Sequence, residues 1–512
     1  MTRNNVWRAI SVALFVFAAA LSARSVVAQG VSVPKFVDKP GETYYDFGDH
    51  PMRYLENDRV KIGFDLSIGG AVVYLEDKAN KSGNMINSFD WGRQIQLSYY
   101  SGPNPYVGPN GEKPSSDWAG LGWNPIQAGD CGGYGSRVLD FKYLDIPGGG
   151  AYIRTRPMLW PNIGVLAECV FVCVYKLTPN GFELSATIIN DRADKTQYLG
   201  RTQETPAVYT NAPWYKLVTY LGDKPFENEP LATMVDKGDG KGWPWVGFYT
   251  PERWTALVNE KNFGLGVYQP NAVHSSGGFH GGDGAKGLPL GPKETATGYI
   301  APHETTILDW NITRTYKTTF VVGSLDEIRE TVYKLAKRDL KTRPEWVFEK
   351  DRQNWIYTNT TDEGFPIQGA LKINLLPNAE ACAQSSEDFW KTKDAPILEV
   401  DLALEDVGAV EKKDETLKFV LTPFSPADTI DYLQWSEGDK DQAREREEKH
   451  KTRPVLPNIE FSAPVKFDGE RRVVRVDLRD VKGYDGAMKR LALLFPARNA
   501  KATLYSVRFV EK

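Results

Sequence analysis

From Arg59 onward the chain is written as short runs, RVKIGFD, AVVYLED, RQIQLSYY, VLDFKYL, AYIRTR, GVLAECVFVCVYKL and GFELSATIIN, separated by Gly, Pro and Asn. Side chains alternate sides along a strand, whereas a helix needs apolar residues three and four apart, so these runs read as β-strands. They follow one another without the helical stretches that parallel βαβ units require, which predicts an all-β fold built on a large antiparallel sandwich. KLVTYLG, WVGFYT, WTALVNE, FGLGVYQ and ILDWNITRTYKTTFVVG continue the pattern. Ser324 to Leu340 departs from it. Ser324 and Glu327 make a capping box, and Leu325, Ile328, Val332, Leu335 and Ala336 share one helical face. Pro344 follows, so this one helix closes a first domain, residues 30–340, and links it to a second, 345–512. The second segment carries ALKINLL, ILEVDLALED, LKFVLTP, ERRVVRVDL, RLALLFP and TLYSVRFVE, the strands of a smaller β-sandwich. The charged run EGDKDQAREREEKHKTR at 437–453 reads as a solvated loop or exposed helix.

A chain of 512 residues exceeds what one hydrophobic core serves, in keeping with two domains. Its start has the form of a signal peptide over 1–28. Arg3 and Arg8 precede the apolar stretch Ala9–Ala23, and Val26 and Ala28 are placed for cleavage after Ala28. The expected mature protein is secreted or periplasmic and has no membrane partner after cleavage. A net charge of −4 gives no basic face for nucleic acid. Four cysteines in this length make no disulfide scaffold. Cys169 and Cys173 lie on one strand about 13 Å apart, beyond disulfide reach, which leaves Cys131 with either of them, or a free Cys382, open. The aromatic share is 12%, with 14 Trp and 24 Tyr, several beside Gly and Pro in loops. Indole and phenol rings match the apolar face of a pyranose, and the same rings also fill β cores.

The stretch VKIGFDLSIGGAVVYLEDKANKSGNMIN resembles the opening of galactose-mutarotase-like supersandwich domains, with a first strand, a Gly-Gly turn and a second strand. DWGRQIQLSYYSG and RTQETPAVYT resemble the inward-facing strands of that architecture, over about residues 45–335. The C-terminal segment, with Trp355, YDGAMKRLALLFP and a closing VRFV, resembles the galactose-binding-like jelly roll of carbohydrate-binding modules. The resemblance implies sugar recognition by both domains. The His and Glu that act as acid and base in true mutarotases have no clear counterpart in this sequence, which argues against simple aldose epimerisation.

Four segments carry the residue types that such chemistry needs. In Asp90–Gln96, read as a strand, Arg93 and Ile95 share one face and Gln94 and Gln96 the other; Arg93 can fork to hydroxyls or a uronate, with Gln96 as a further polar contact, or Arg93 can simply hold Asp90 or a strand end. In Asp117–Asp130, Trp118 and Trp123 offer stacking faces while Asp117, Asn124, Gln127 and Asp130 offer polar contacts; the competing reading is a loop that caps its own N–H groups. In Arg201–Tyr209, Arg201 and Gln203 share one strand face with Glu204 on the other unless the strand bulges, and Tyr209 follows. Glu204 is the leading acid or base, with Asp117 or Asp130 as the second carboxylate that glycoside hydrolysis needs; an Arg201–Glu204 structural pair competes. In His274–Asp283, two of the chain's five histidines, His274 and His280, sit in one Gly-rich loop, where they can serve as a proton shuttle or as metal ligands. No cofactor motif is present, and calcium stays open without a loop consensus. These segments predict a glycoside hydrolase acting on a polysaccharide or oligosaccharide. A non-catalytic glycan-binding protein and a lyase of uronic-acid glycans, with Arg neutralising the carboxylate and His or Tyr taking the proton, are the alternatives. The sequence leaves sugar identity and oligomeric state open.

Overall fold

The computed structural model describes residues 51–233, 245–281, 283–408, 415–425, 430–431 and 456–512, without the side chains of Asp283, Ile430 and Asp431. The expected signal peptide and the charged run at 437–453 lie outside the described residues. Within them the fold is all-β, with strands in four antiparallel sheets and one α-helix.

An eleven-stranded sheet faces a nine-stranded one. Alternation produces the layer between them. In Gly181–Asn190 every second side chain is buried, and its neighbour Cys169–Thr178 pairs with it residue for residue. Phe64, Ile95, Trp123, Phe171, Phe182, Val208, Ile300 and Phe320 meet in that core. The eleven-stranded sheet runs in space from Met52–Glu56 through Val60–Asp65, Ala71–Asp77, Ile95–Ser98, Arg201–Asn211, Thr297–Thr306 and His274–His280 to Val246–Tyr249. Arg201–Asn211 is therefore central, and its side chains that turn away from the core lie mid-face. Two six-stranded sheets form the second sandwich around Trp355, Leu371, Leu398, Phe419, Leu493 and Leu504.

The helix Leu325–Asp339 has the expected capping box: Glu327 N–H donates to Ser324 Oγ at 3.3 Å, and Ser324 N–H donates to Glu327 Oε2 at 2.9 Å. Its Ile328 and Val332 pack on Trp254, Tyr268 and Val321, on the outer side of the nine-stranded sheet. The two sandwiches also touch beyond residue 340. Ile430–Asp431 pairs with Val246–Tyr249 at the edge of the first sandwich, and Phe365 packs against both cores. All four cysteines are free, Cys169 and Cys173 buried in the core strand, so Cys131 forms no disulfide with either.

Candidate functional site

Pro206 interrupts the central strand. The pairing register slips between Glu204 and Val208 on one side and between Glu204 and Ala207 on the other. In a regular strand residues 204 and 209 would point to opposite faces; the slip brings both to the outer face. There the Glu204 carboxylate accepts hydrogen bonds from the phenols of Tyr100 (2.9 Å) and Tyr299. Tyr209 lies 4.8 Å from the Tyr299 ring, and Trp245 lies 4.6 Å from it at 32°. Burial and the charge of Glu204 push the phenols of Tyr100, Tyr209 and Tyr299 well above the usual tyrosine value, so they stay protonated, and Tyr100 and Tyr299 donate to Glu204.

His303 stands directly opposite Glu204 on the neighbouring strand, which sets their Cβ atoms about 4.5–5.5 Å apart. The strand beyond places His274 opposite His303, with Nδ1 to Nδ1 at 3.3 Å, and His303 Nε2 shares a hydrogen bond with Ser276 Oγ at 3.0 Å. Burial, and then the nearby His274, hold His303 well below the usual histidine value, so it is a neutral imidazole near pH 7. The Tyr249 ring lies 4.9 Å from His274, and its hydroxyl donates to Glu387 of the second sandwich at 2.7 Å. The arrangement is a half-buried carboxylate beside an imidazole pair, next to an aromatic cluster in which Tyr209 is half-buried and Tyr299 and Trp245 are buried. Such a group can take a proton from, and return it to, a polyol held on the sheet.

The expected residues divide around this face. Glu204, Tyr209 and His274 belong to it. The competing Arg201–Glu204 pair does not form: Arg201 donates to the carbonyls of Leu121 (2.6 Å) and Ser101 (3.3 Å). Gln203 is buried and bridges the backbone of Tyr100. Arg93 lies beside Asp90 at 3.4 Å and donates to Asn87 and to the Thr295 carbonyl. Gln96 is buried, donating to the Trp91 and Arg93 carbonyls and accepting from Ala128 N–H. Trp123 corrects the expectation of a stacking platform: it is fully buried in the core, with the Arg192 guanidinium 4.6 Å over its ring. Asn124 and Gln127 are likewise buried and spent on backbone groups. Asp130 is 1% exposed and accepts from the N–H groups of Gly132, Tyr134 and Gly164, so it ties its loop together and is no second carboxylate for Glu204. Of that loop, Asp117 is exposed and Trp118 half-buried, edge-on to Trp160. His274 and His280 lie on one strand and not in a loop. Six residues apart, they are separated by about 20 Å, so His280 stands away from the pair.

Sequence reasoning missed Tyr100, Tyr299, His303, Tyr249 and Glu387. Tyr100 closes the run RQIQLSYY, and Tyr299 and His303 alternate in TGYIAPHETT; only strand order shows that they meet. Among the described residues no group of three or more His, Cys, Asp or Glu is arranged to hold a metal, and no helix is long and apolar enough to cross a membrane.

No family model and no curated protein matches this chain. Solved structures resemble it over about half its length. A galactose mutarotase-like protein from Lactobacillus casei is 14% identical, with 53% of this chain and 99% of that one covered and a TM-score of 0.34. A galactose mutarotase related enzyme from Lactobacillus acidophilus is 12% identical over 53% of this chain and 97% of its own, TM-score 0.34. The alpha-galactosidase from Lactobacillus brevis is 8% identical over 54% of this chain and 39% of its own, TM-score 0.31.

Proposed function

We propose that this chain is an exported carbohydrate-active enzyme that cleaves glycosidic bonds by acid–base catalysis on the outer face of its eleven-stranded sheet. One observation carries the reading: Glu204 is held by two tyrosine phenols directly across from His303, beside the Tyr209–Tyr299–Trp245 patch. Tyr209, half-buried, is the ring of that cluster open to a pyranose face, with the buried Tyr299 and Trp245 fixing it from behind, and a preset carboxylate suits the positive charge that develops at the anomeric carbon. The leaving oxygen then needs a proton, and water supplies the hydroxyl that replaces it. His274, which adjoins His303 across from Glu204, is the group assigned that task, since Asp90 is paired with Arg93. The uronate-lyase alternative is weakened because Arg93 is engaged by Asp90 and Arg201 by backbone carbonyls.

The test is incubation of purified protein with a polysaccharide panel, followed by product profiling. New reducing ends without ultraviolet absorption support hydrolysis. Unsaturated, absorbing ends would replace it with elimination, and retention without shortening would leave a binder. His274→Asn then tests the acid: turnover lost on the polysaccharide but kept on substrates with a good leaving group marks His274 as the proton donor, and unchanged turnover on both removes it.

A further inference from the structure

Where the two sandwiches meet, a cleft of about 460 Å³ opens, within the roughly 300–1,000 Å³ usual for ligand sites. Asn271, Glu304 and Arg314 contribute from the first sandwich, and Asn354, Ser386 and Glu387 from the second. Asn271, Glu304, Ser386 and Glu387 also line the recess around His274 and His303. The cleft and the histidine pair therefore share a wall, and the second sandwich reaches the sheet-face site through Glu387 on Tyr249.

The charges in the cleft decide what it accepts. Each of its cations already has a carboxylate: Arg253 with Asp388, Arg314 with Glu304, Lys341 with Glu345 at 2.7 Å, Arg343 with Glu511 at 3.7 Å, and Arg352 with Asp309 and Asp362 at 2.7 and 2.6 Å. An anionic ligand would have to displace a partner from the buried cations Arg253, Arg314 or Arg352, and it would meet a lining in which the carboxylates Glu304, Asp339, Glu345, Asp351, Glu387 and Asp388 outnumber the cations. A ligand of hydroxyls would not, because paired charges and the amides of Asn271 and Asn354 still have donors and acceptors to offer. We propose that this cleft binds the flanking units of an uncharged oligosaccharide whose reacting unit lies beside Glu204, a proposal that rests on the reading of the sheet face as a sugar site. The substrate is then a neutral chain gripped by both sandwiches.

Titration calorimetry on the full chain tests this with gluco-, galacto- and manno-oligosaccharides from mono- to tetrasaccharide, and with oligogalacturonides of the same lengths. Affinity should rise by at least about tenfold along one neutral ladder and stay weak along the uronide ladder. Ser386→Trp, which fills the shared wall, should flatten the rise while keeping monosaccharide affinity; Asn271→Trp, at an exposed position, should do the same if the first variant folds poorly. Equal affinity at every length, tighter uronide binding, or a rise unchanged in both variants would overturn the proposal. The titrations are run in parallel on Glu204→Gln, which separates heat of cleavage from heat of binding, so loss of the catalytic assignment to Glu204 would leave the length dependence standing. Absence of binding to any sugar would remove both.

Discussion

Pro206 has no backbone N–H to give to a ladder, and a proline inside a central strand is tolerated only where the pairing is irregular. That irregularity is what puts Glu204 and Tyr209 on one face, and it is legible in RTQETPAVY once proline is read as a bulge marker. The two phenols on Glu204 come from other strands and carry no local signal. Tyr299→Phe removes one charged hydrogen bond, worth about 1.5–3 kcal/mol, so kcat should fall by about tenfold or more with the fold intact; an unchanged kcat would mean that the phenol only packs. Trp123 teaches the opposite lesson. Beside Gly122 it reads as an exposed platform, yet its backbone pairs with Ser101 and its ring is covered by Arg192, contacts made by residues distant in sequence. Trp123→Ala should cost about 3–5 kcal/mol of stability by denaturant titration and leave the glycan affinity of the folded protein unchanged.

At the scale of elements, the strands were legible from period-two alternation and the helix from its caps, while strand faces near glycine were not. Gly277 and Gly278 suggest a loop, but they lie inside His274–His280, where a Cβ on Gly277 would stand 2.7 Å from the Tyr299 carbonyl oxygen. Close approach, and not a turn, requires glycine there. The same strand pair buries His303, which faces His274, Ser276 and Glu204. Its folded pKa lies below the unfolded value of 6.5, so between those two values the unfolded chain binds more protons. Its contribution to stability is then present above pH 6.5 and is lost as pH falls toward the folded value. Denaturant titrations from pH 7 to 5 should show stability falling by up to about 1.4 kcal/mol per pH unit from this group, and His303→Asn should make the slope shallower. An identical slope would remove His303 as the cause. The loop tied by Asp130 gives another check: Asp130→Ala leaves three N–H groups without their acceptor, at about 1–3 kcal/mol for each one that stays buried and unpaired.

Over the whole molecule, the helix end and Pro344 draw a boundary in the sequence, but nothing there foretells the ties across it. Arg352 is buried between Asp309 of the first sandwich and Asp362 of the second, and Gln197 Nε2 donates to Asp362 at 2.6 Å. Removing one partner of a buried ion pair costs about 3–5 kcal/mol. Asp309→Ala, which removes the ion pair with Arg352 that crosses the boundary, should therefore split denaturant unfolding into two transitions, one per sandwich, where the wild type shows one; a single transition in the variant would mean that the apolar contacts around Phe365 already couple the lobes. The account of the molecule as an enzyme rests finally on Glu204. Gln keeps the size and hydrogen-bonding reach of that side chain but cannot exchange a proton near neutral pH. The most direct measurement is turnover and glycan affinity of Glu204→Gln beside the wild type, on whichever polysaccharide the wild type shortens. Turnover should fall by about 10²–10⁴ with affinity within a few-fold; full turnover in the variant would contradict the assignment of the chemistry to this face.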